Sequence, residues 1–421
     1  MIQVKQKTIS RRQVAIIAFI VSVGTKFFGL PVLMMQMGGR IAWLPFITFL
    51  LIDLLVLAAL VISSSLAKGK TAFKIIESCL GRILSKIIFI GVFFILLTRA
   101  LLLLFNISGF FSFDLFDGVP FFIILMPLCL IIIPFANKSL RTLGRTSEIL
   151  IFFIAAAIII LGFLMAKTSD PISIMPLFGS SDMSNLGRTF LSFSFFFGDI
   201  SALFIAIGKV DGRKKGAIHS DTHAGDVKSN SSEKQEPSAS CLNFQAAKNF
   251  SRQYADTEIT AVIKPASLPK SAIIAVIAAI AVSIAYAFLI FSSYMDIRGV
   301  INSNSVAFAT HTAVTRFAMG RFDKIIFATL ASALLVSLAL LTHAGTRTLK
   351  HIVPKVKKTW ACLFVALALY ISAVFINRIW FLDFIFNNGI YFTAALSGGF
   401  VLLLLVCSII VSKRKRRIGS R

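Results

Sequence analysis

Acidic residues are scarce in this chain. Of its 421 residues, 18 are Asp or Glu against 43 Lys or Arg, and charged residues make up 14%, where a soluble domain carries about 25%. With 57% hydrophobic residues and a mean hydropathy of +0.87, too little polar surface remains to keep a folded chain in water, and a bilayer is required. Cysteine is sparse too. Cys79, Cys129, Cys241, Cys362 and Cys407 stand apart with no Cys-x-x-Cys spacing, so neither a disulfide framework nor a zinc site can be read. There is no Gly-x-Ser-x-Gly elbow, no Walker A loop and no His-Glu-x-x-His run. A familiar hydrolase and a nucleotide-driven pump are therefore not expected. Neither is any other enzyme, cofactor or resident metal.

What the chain has instead is long apolar runs. A membrane-spanning helix needs about 20 mostly apolar residues, and ten segments qualify: 13–36, 42–66, 84–110, 119–136, 147–166, 186–208, 270–295, 325–345, 359–377 and 390–412. The fold class expected is all-α, a polytopic membrane protein with about ten transmembrane helices. The first apolar run follows basic residues as a cleaved leader would. It is too long for one and holds Lys26, so it reads as the first span.

The net charge of +25 raises the question of nucleic acid. The basic residues lie in short clusters between apolar runs, without the interleaved aromatics of a nucleic-acid groove. With end residues assigned to the nearest loop, 33 of the 43 fall on one side of the membrane and 8 on the other. That asymmetry is the positive-inside pattern. It places both termini in the cytoplasm and makes the lipid bilayer, not nucleic acid, the partner.

The chain divides into 1–208, holding the first five spans and the sixth; a polar insert at 209–269; spans seven to ten at 270–412; and a basic tail at 413–421. The insert, with runs such as Ser229-Asn230-Ser231-Ser232-Glu233, cannot bury enough apolar surface to fold alone. Its His219 and His223 read as part of a solvated loop, not as metal ligands. The external stretch 296–324 is expected to hold a short surface helix.

Ionisable groups inside a bilayer are costly, so each one marks a candidate site. Lys26 lies among Gly24, Thr25 and Gly29, followed by Pro31, where the helical ladder is weakened. Asp199 lies in a similar setting in the sixth span, beside Gly198 and near Ser194. In inverted-repeat transporters of five-plus-five design the first and sixth spans are the broken helices that hold the substrate. Lys26 and Asp199 are therefore expected to approach one another across a central cavity. Asp53 in the second span and Arg99 in the third are candidate charge partners, Asp53 for either Arg99 or Lys26. Thr329 and Ser332 in the eighth span read as close-packing hydroxyls, with a cation site as the sharper alternative.

These residues carry a family resemblance. The run Ile9-Ser10-Arg11-Arg12-Gln13, the break Gly24-Thr25-Lys26-Phe27-Phe28-Gly29-Leu30-Pro31 and the entry Gly39-Arg40-Ile41-Ala42-Trp43 resemble the spore germination permeases, the B subunits of nutrient germinant receptors. That family belongs to the amino acid–polyamine–organocation transporter superfamily. Thr98-Arg99, Met175-Pro176-Leu177-Phe178-Gly179, Phe197-Gly198-Asp199 with the basic stretch from Lys209 to Lys215, and Gly320-Arg321-Phe322-Asp323 extend the likeness over nearly the whole chain. Lys26 stands where a small or apolar residue is usual, Asp199 where glutamate is commoner, and the insert is far longer than the family's loop.

The resemblance implies a five-plus-five inverted-repeat fold with a small amino-acid-like ligand between the first and sixth spans. Half-helix amides would receive the ligand's carboxylate, Asp199 its ammonium, and Lys26 would stand in for a coupling cation. It also implies partner receptor subunits in a spore inner membrane. A germinant-sensing membrane subunit is the function expected. A secondary amino acid transporter coupled to protons or sodium, and a structural subunit with an empty cavity, are the alternatives.

Overall fold

The structure, a computed structural model, describes residues 8–27, 39–66, 69–111, 119–166, 186–194, 197–210, 267–294, 322–376 and 378–419. Gly29 and Pro31, the His219 and His223 pair, nearly all of the 209–269 insert and most of 296–324 lie outside them. Among the described residues all extended regular structure is helical. The one strand-like feature is an isolated parallel bridge between Ile9 and Val210.

The elements run α1 (Arg11–Phe27), a 3-10 turn (Gly39–Ala42), α2 (Trp43–Leu66), α3 (Ala72–Leu80), α4 (Arg82–Phe110), α5 (Phe121–Asn137), α6 (Leu140–Ala166), α7 (Leu186–Phe193), a 3-10 helix (Asp199–Ala206), α8 (Ser271–Tyr294), α9 (Phe322–Ile352), α10 (Lys358–Phe375), α11 (Arg378–Thr393), a π-helical stretch (Ala394–Phe400) and α12 (Val401–Gly419). Each of the ten expected apolar segments contains one of these helices. Seven helices among the described residues are long and apolar enough to cross a membrane unaided, and the helix at 122–137 is a shorter apolar one. Two elements differ from expectation. Residues 72–80, between the expected second and third spans, form a helix that buries Ala72, Ile75 and Ile76. The expected loop after the ninth span is helical from Arg378 and runs unbroken into the last span.

The outer surface is apolar, as a lipid-facing surface must be. Leu51 and Leu55 on α2, Ile83 and Phe94 on α4, and Phe152, Phe153 and Phe163 on α6 are all exposed. The interior is built on α1 and α9. α1 packs against α6, α8, α9 and the 3-10 helix, and α9 against α4, α5, α6 and α10. The two central helices touch at Gly24, where an added Cβ would lie 3.1 Å from the Ala333 carbonyl oxygen and 3.2 Å from Ser337 Oγ. Lipid tails supply no hydrophobic drive between helices, so such close backbone approach is how they associate.

The hydroxyls of α9 serve the same packing. Ser337, Thr342, Thr346 and Thr348 each donate to the carbonyl one turn back, at 3.1, 2.8, 2.8 and 2.9 Å. A hydroxyl bonded in this way is satisfied without a second helix.

One end of the molecule is closed by backbone. Ser10 and Gln13 form a capping box, with Gln13 N donating to Ser10 Oγ and Ser10 N to Gln13 Oε1, both at 3.2 Å. Each satisfies an amide that the helix start leaves free. Gln13 Nε2 continues to Glu148 Oε2 on α6 at 3.2 Å. Just ahead of the box, Ile9 N donates to the Lys209 carbonyl at 2.9 Å. The start of α1 is thereby tied both to α6 and to the end of the sixth apolar segment.

Candidate functional site

The sixth segment is interrupted. α7 stops at Phe193, and the chain resumes as a 3-10 helix at Asp199, entered through Gly198 at φ +95°. That left-handed backbone favours glycine. A Cβ at Gly198 would also sit 3.1 Å from Arg99 Nη2. The break leaves backbone groups that need partners away from water. Side chains from two other elements, Asp53 of α2 and Thr393 of α11, supply them.

Asp53, midway along α2, is buried and uses both carboxylate oxygens. Oδ1 accepts the Gly198 N–H at 2.7 Å, and Oδ2 accepts Lys26 Nζ at 2.7 Å. Lys26, at the end of α1, is equally buried. It also donates to the Ser22 carbonyl at 2.8 Å and to Ser22 Oγ at 3.3 Å, and its ammonium lies 5.2 Å from the centre of the Phe197 ring. All three ammonium protons therefore have acceptors. A buried ion pair is tolerated only when its remaining hydrogen-bonding capacity is met in this way.

A second ion pair lies beside the first. Arg99 Nη1 donates to Asp199 Oδ1 at 2.8 Å, and Nη2 to Thr393 Oγ1 at 2.8 Å. Thr393 passes its own proton to the Ser194 carbonyl at 2.7 Å, on the near side of the break. Thr393 ends α11 where the π-helical stretch begins, and its carbonyl accepts the Ser397 hydroxyl. π-Helical turns often occur at functional positions. Asp199 also lies within electrostatic reach of Asp53 and Lys26. Two cations and two anions thus meet at one break, and their charges cancel.

The expected direct contact between Lys26 and Asp199 does not form. Lys26 goes to Asp53 and Asp199 to Arg99. Lys26, in the last turn of α1, faces Asp53 on α2, while the positive φ at Gly198 turns Asp199 toward the long Arg99 side chain. Lys26, Asp53, Arg99, Gly198, Asp199 and the Ser194 carbonyl do come together. Gly24 lies at the α1–α9 contact instead. The side chain of Thr25, like Gly29, is outside the described residues. Ser332 donates to the Thr329 carbonyl at 2.5 Å.

Thr393, Ser397 and Ser22 were not singled out from the sequence. The one available signal was the small-residue cluster Thr393-Ala394-Ala395-Leu396-Ser397-Gly398-Gly399 inside an apolar span. Among the described residues no group of three or more His, Cys, Asp or Glu is placed to hold a metal ion.

An all-helical membrane domain, with a broken helix at a buried, charge-balanced crossing, defines the class: a transporter-like, multi-pass membrane protein. Solved structures share the fold. The Eremococcus coleocola manganese transporter, crystallised with an aromatic bis-isothiourea substituted compound, matches with a TM-score of 0.51 at 15% identity, over 97% of this chain and 90% of that one. Two single-residue variants of that transporter match with TM-scores of 0.50 at 15% identity, over 95% of this chain and 85% of theirs. No match was found among the curated proteins. The family model for spore germination proteins matches residues 8–220, just over half of the chain. The chain belongs to that spore germination permease family.

Proposed function

We propose that the chain is the membrane subunit of a germinant receptor, sensing a small zwitterionic, amino-acid-like ligand at the break of the sixth segment. One observation carries the reading: a carboxylate, that of Asp53, lies on the freed Gly198 amide with an ammonium, that of Lys26, on its other oxygen. The break has the chemistry that recognises the two ends of an amino acid, and it holds side chains of the protein in their place. A ligand carboxylate would take the Gly198 amide and the Lys26 ammonium, and its own ammonium would exchange with Arg99 at Asp199. Family membership supports the germination role and, with it, partner subunits in a spore inner membrane. The basic-residue asymmetry supports cytoplasmic termini.

The test is thermal unfolding of the purified chain against a panel of amino acids. Stabilisation grows with occupancy. One or more amino acids should raise Tm, and Asp199→Asn should abolish that rise. A panel that shifts nothing, or a hit that survives the substitution, overturns the reading.

A second reading is favoured by the Lys26–Asp53 pair, whose buried contact could open and close with a proton in a coupled transporter. Uptake of radiolabelled amino acid into proteoliposomes that collapses with the ion gradient would establish it. Binding without uptake would leave the sensor.

A further inference from the structure

Basic groups converge away from the helix break, at the end of the molecule where the start of α1 meets the end of the sixth segment. Lys209 follows the 3-10 helix, His343 and Arg347 stand one turn apart near the end of α9, and Lys358 opens α10. Lys209 lies within electrostatic reach of Arg347 and Lys358, and His343 of all three. None of Lys209, His343 and Arg347 feels a carboxylate among the described residues. Like charges held together repel, and an anion among them would relieve that repulsion.

Part of the cluster has a structural task. Lys358 Nζ donates to the Asn137 carbonyl and, at 2.8 Å, to the Lys138 carbonyl. His343 Nδ1 reaches the Ala136 carbonyl at 2.8 Å. Both cover the last carbonyls of α5, the negative end of its dipole.

That leaves groups with nothing to bind. The carbonyl accepts, so His343 Nδ1 carries the proton, and the opposite ring nitrogen faces away from α5. This Nε2 is without a partner, in a residue only 1% exposed. Arg347 Nε, one turn along α9, is buried and unpartnered as well. The N-terminus of α10 has no side-chain cap and adds its free amides to the same end. Buried polar groups left unmatched inside a protein call for an unseen partner.

We infer that Lys209, His343, Arg347 and the start of α10 form a binding site for a phosphate-type oxyanion, supplied either by an anionic lipid headgroup or by free phosphate. The guanidinium presents a planar fork suited to such oxygens. The neutral imidazole Nε2 is an acceptor and takes the P–OH proton of orthophosphate, while Lys209, Arg347 and the α10 amides supply the donors to the charged oxygens of sulfate or a phosphodiester headgroup. Burial, with the charges of Arg347 and Lys358, lowers Lys209 to about 7. An anion beside it reverses that pressure, so binding takes up a proton and tightens as pH falls through that value. The site is separate from the Lys26–Asp53 and Arg99–Asp199 pairs, and the amino-acid reading can fail without touching it.

The experiment is thermal unfolding of the full chain in neutral detergent, titrated with millimolar sulfate or orthophosphate against chloride at matched ionic strength. Sulfate keeps its charge across this pH range and isolates the protein's own titration. Both oxyanions should raise Tm saturably, with a tighter sulfate midpoint below the Lys209 value than above it. Arg347→Gln and, separately, Lys209→Gln should each weaken the midpoint by about tenfold or more, while the anion-free Tm holds or rises because repulsion is relieved. Repeating the titration in nanodiscs of phosphatidylglycerol or phosphatidylcholine separates the two sources. Phosphatidylglycerol that stabilises alone and cancels the sulfate response identifies the headgroup, and an equal sulfate response in both lipids identifies the free anion. A chain that gains no more from sulfate than from chloride and is equally stable in both lipids overturns the inference. So does an unchanged midpoint in both variants.

Discussion

Asp53 is the residue on which the break depends, because its two oxygens perform different tasks. Oδ2 neutralises Lys26, and Oδ1 satisfies the Gly198 amide. Removing one member of a buried ion pair leaves the other uncompensated, at a cost of about 3–5 kcal/mol. Lys26→Met and Asp53→Asn should each destabilise on that scale, and the double variant should lose far less than the sum. A second comparison separates the amide from the charge. In the Lys26→Met background, Asn at position 53 still offers a carbonyl to Gly198 and Leu does not. An unmatched buried amide costs about 1–3 kcal/mol, so the Leu double variant should be less stable than the Asn one by that amount in denaturation. Equal stabilities would show that the amide does not rely on Asp53. The sequence made all four charges legible, since an ion in an apolar run stands out. It did not reveal their pairing. Arg99 and Asp199 are 100 positions apart and Arg99 and Thr393 are 294 apart, and such contacts depend on which helix faces meet. Thr393 was hidden for a related reason: a threonine in an apolar helix is normally satisfied by its own backbone.

At the scale of elements, the helices follow from hydrophobic run length, and the breaks follow from glycine. Gly198 announced an interruption by composition. The use of Gly208, whose backbone sits at φ +76°, was not legible, because what it approaches is another loop. A Cβ there would lie 2.7 Å from the Lys70 carbonyl oxygen and 3.0 Å from that of Gly69. Both obstacles are backbone, in the turn between α2 and α3, and cannot swing aside as a side chain would. The left-handed conformation alone costs a non-glycine residue about 1–2 kcal/mol. Gly208→Ala should exceed that, and it should loosen the Ile9–Lys209 bond that ties the start of α1 to the residue after Gly208. Amide exchange at Ile9 measures the loosening. A variant with native exchange there would show that the two loops are not locked together. α3 escaped notice because nine residues are too few to mark an apolar run, although its buried Ala72, Ile75 and Ile76 recur at helical spacing.

At the scale of the whole molecule, the basic excess has two parts that composition could not separate. Most of it lies in short clusters between the apolar runs, the asymmetry that supports the proposed orientation. A smaller part, around Lys209, Arg347 and Lys358, is drawn half-buried into the packed end of the bundle, where water screens it less. Lys209 is held at about 7 in the folded chain, chiefly by burial and then by its two basic neighbours, against an ordinary lysine value near 10.4 in the unfolded chain. Between those values the unfolded chain binds the extra proton and the folded chain does not. Stability therefore rises with pH across that window, starting near neutrality and levelling off once the unfolded lysine also loses its proton. Lys209→Met removes the titrating group, so its stability should be flatter in pH through the same window and its advantage over the native chain greatest at the acid end. Denaturation followed in anion-free buffer from neutral to alkaline pH measures both curves. Parallel curves would place the lysine in water and remove the strain attributed to the cluster. Sulfate should move the native curve toward the variant's by supplying a counter-charge to Lys209, which has none among the described residues.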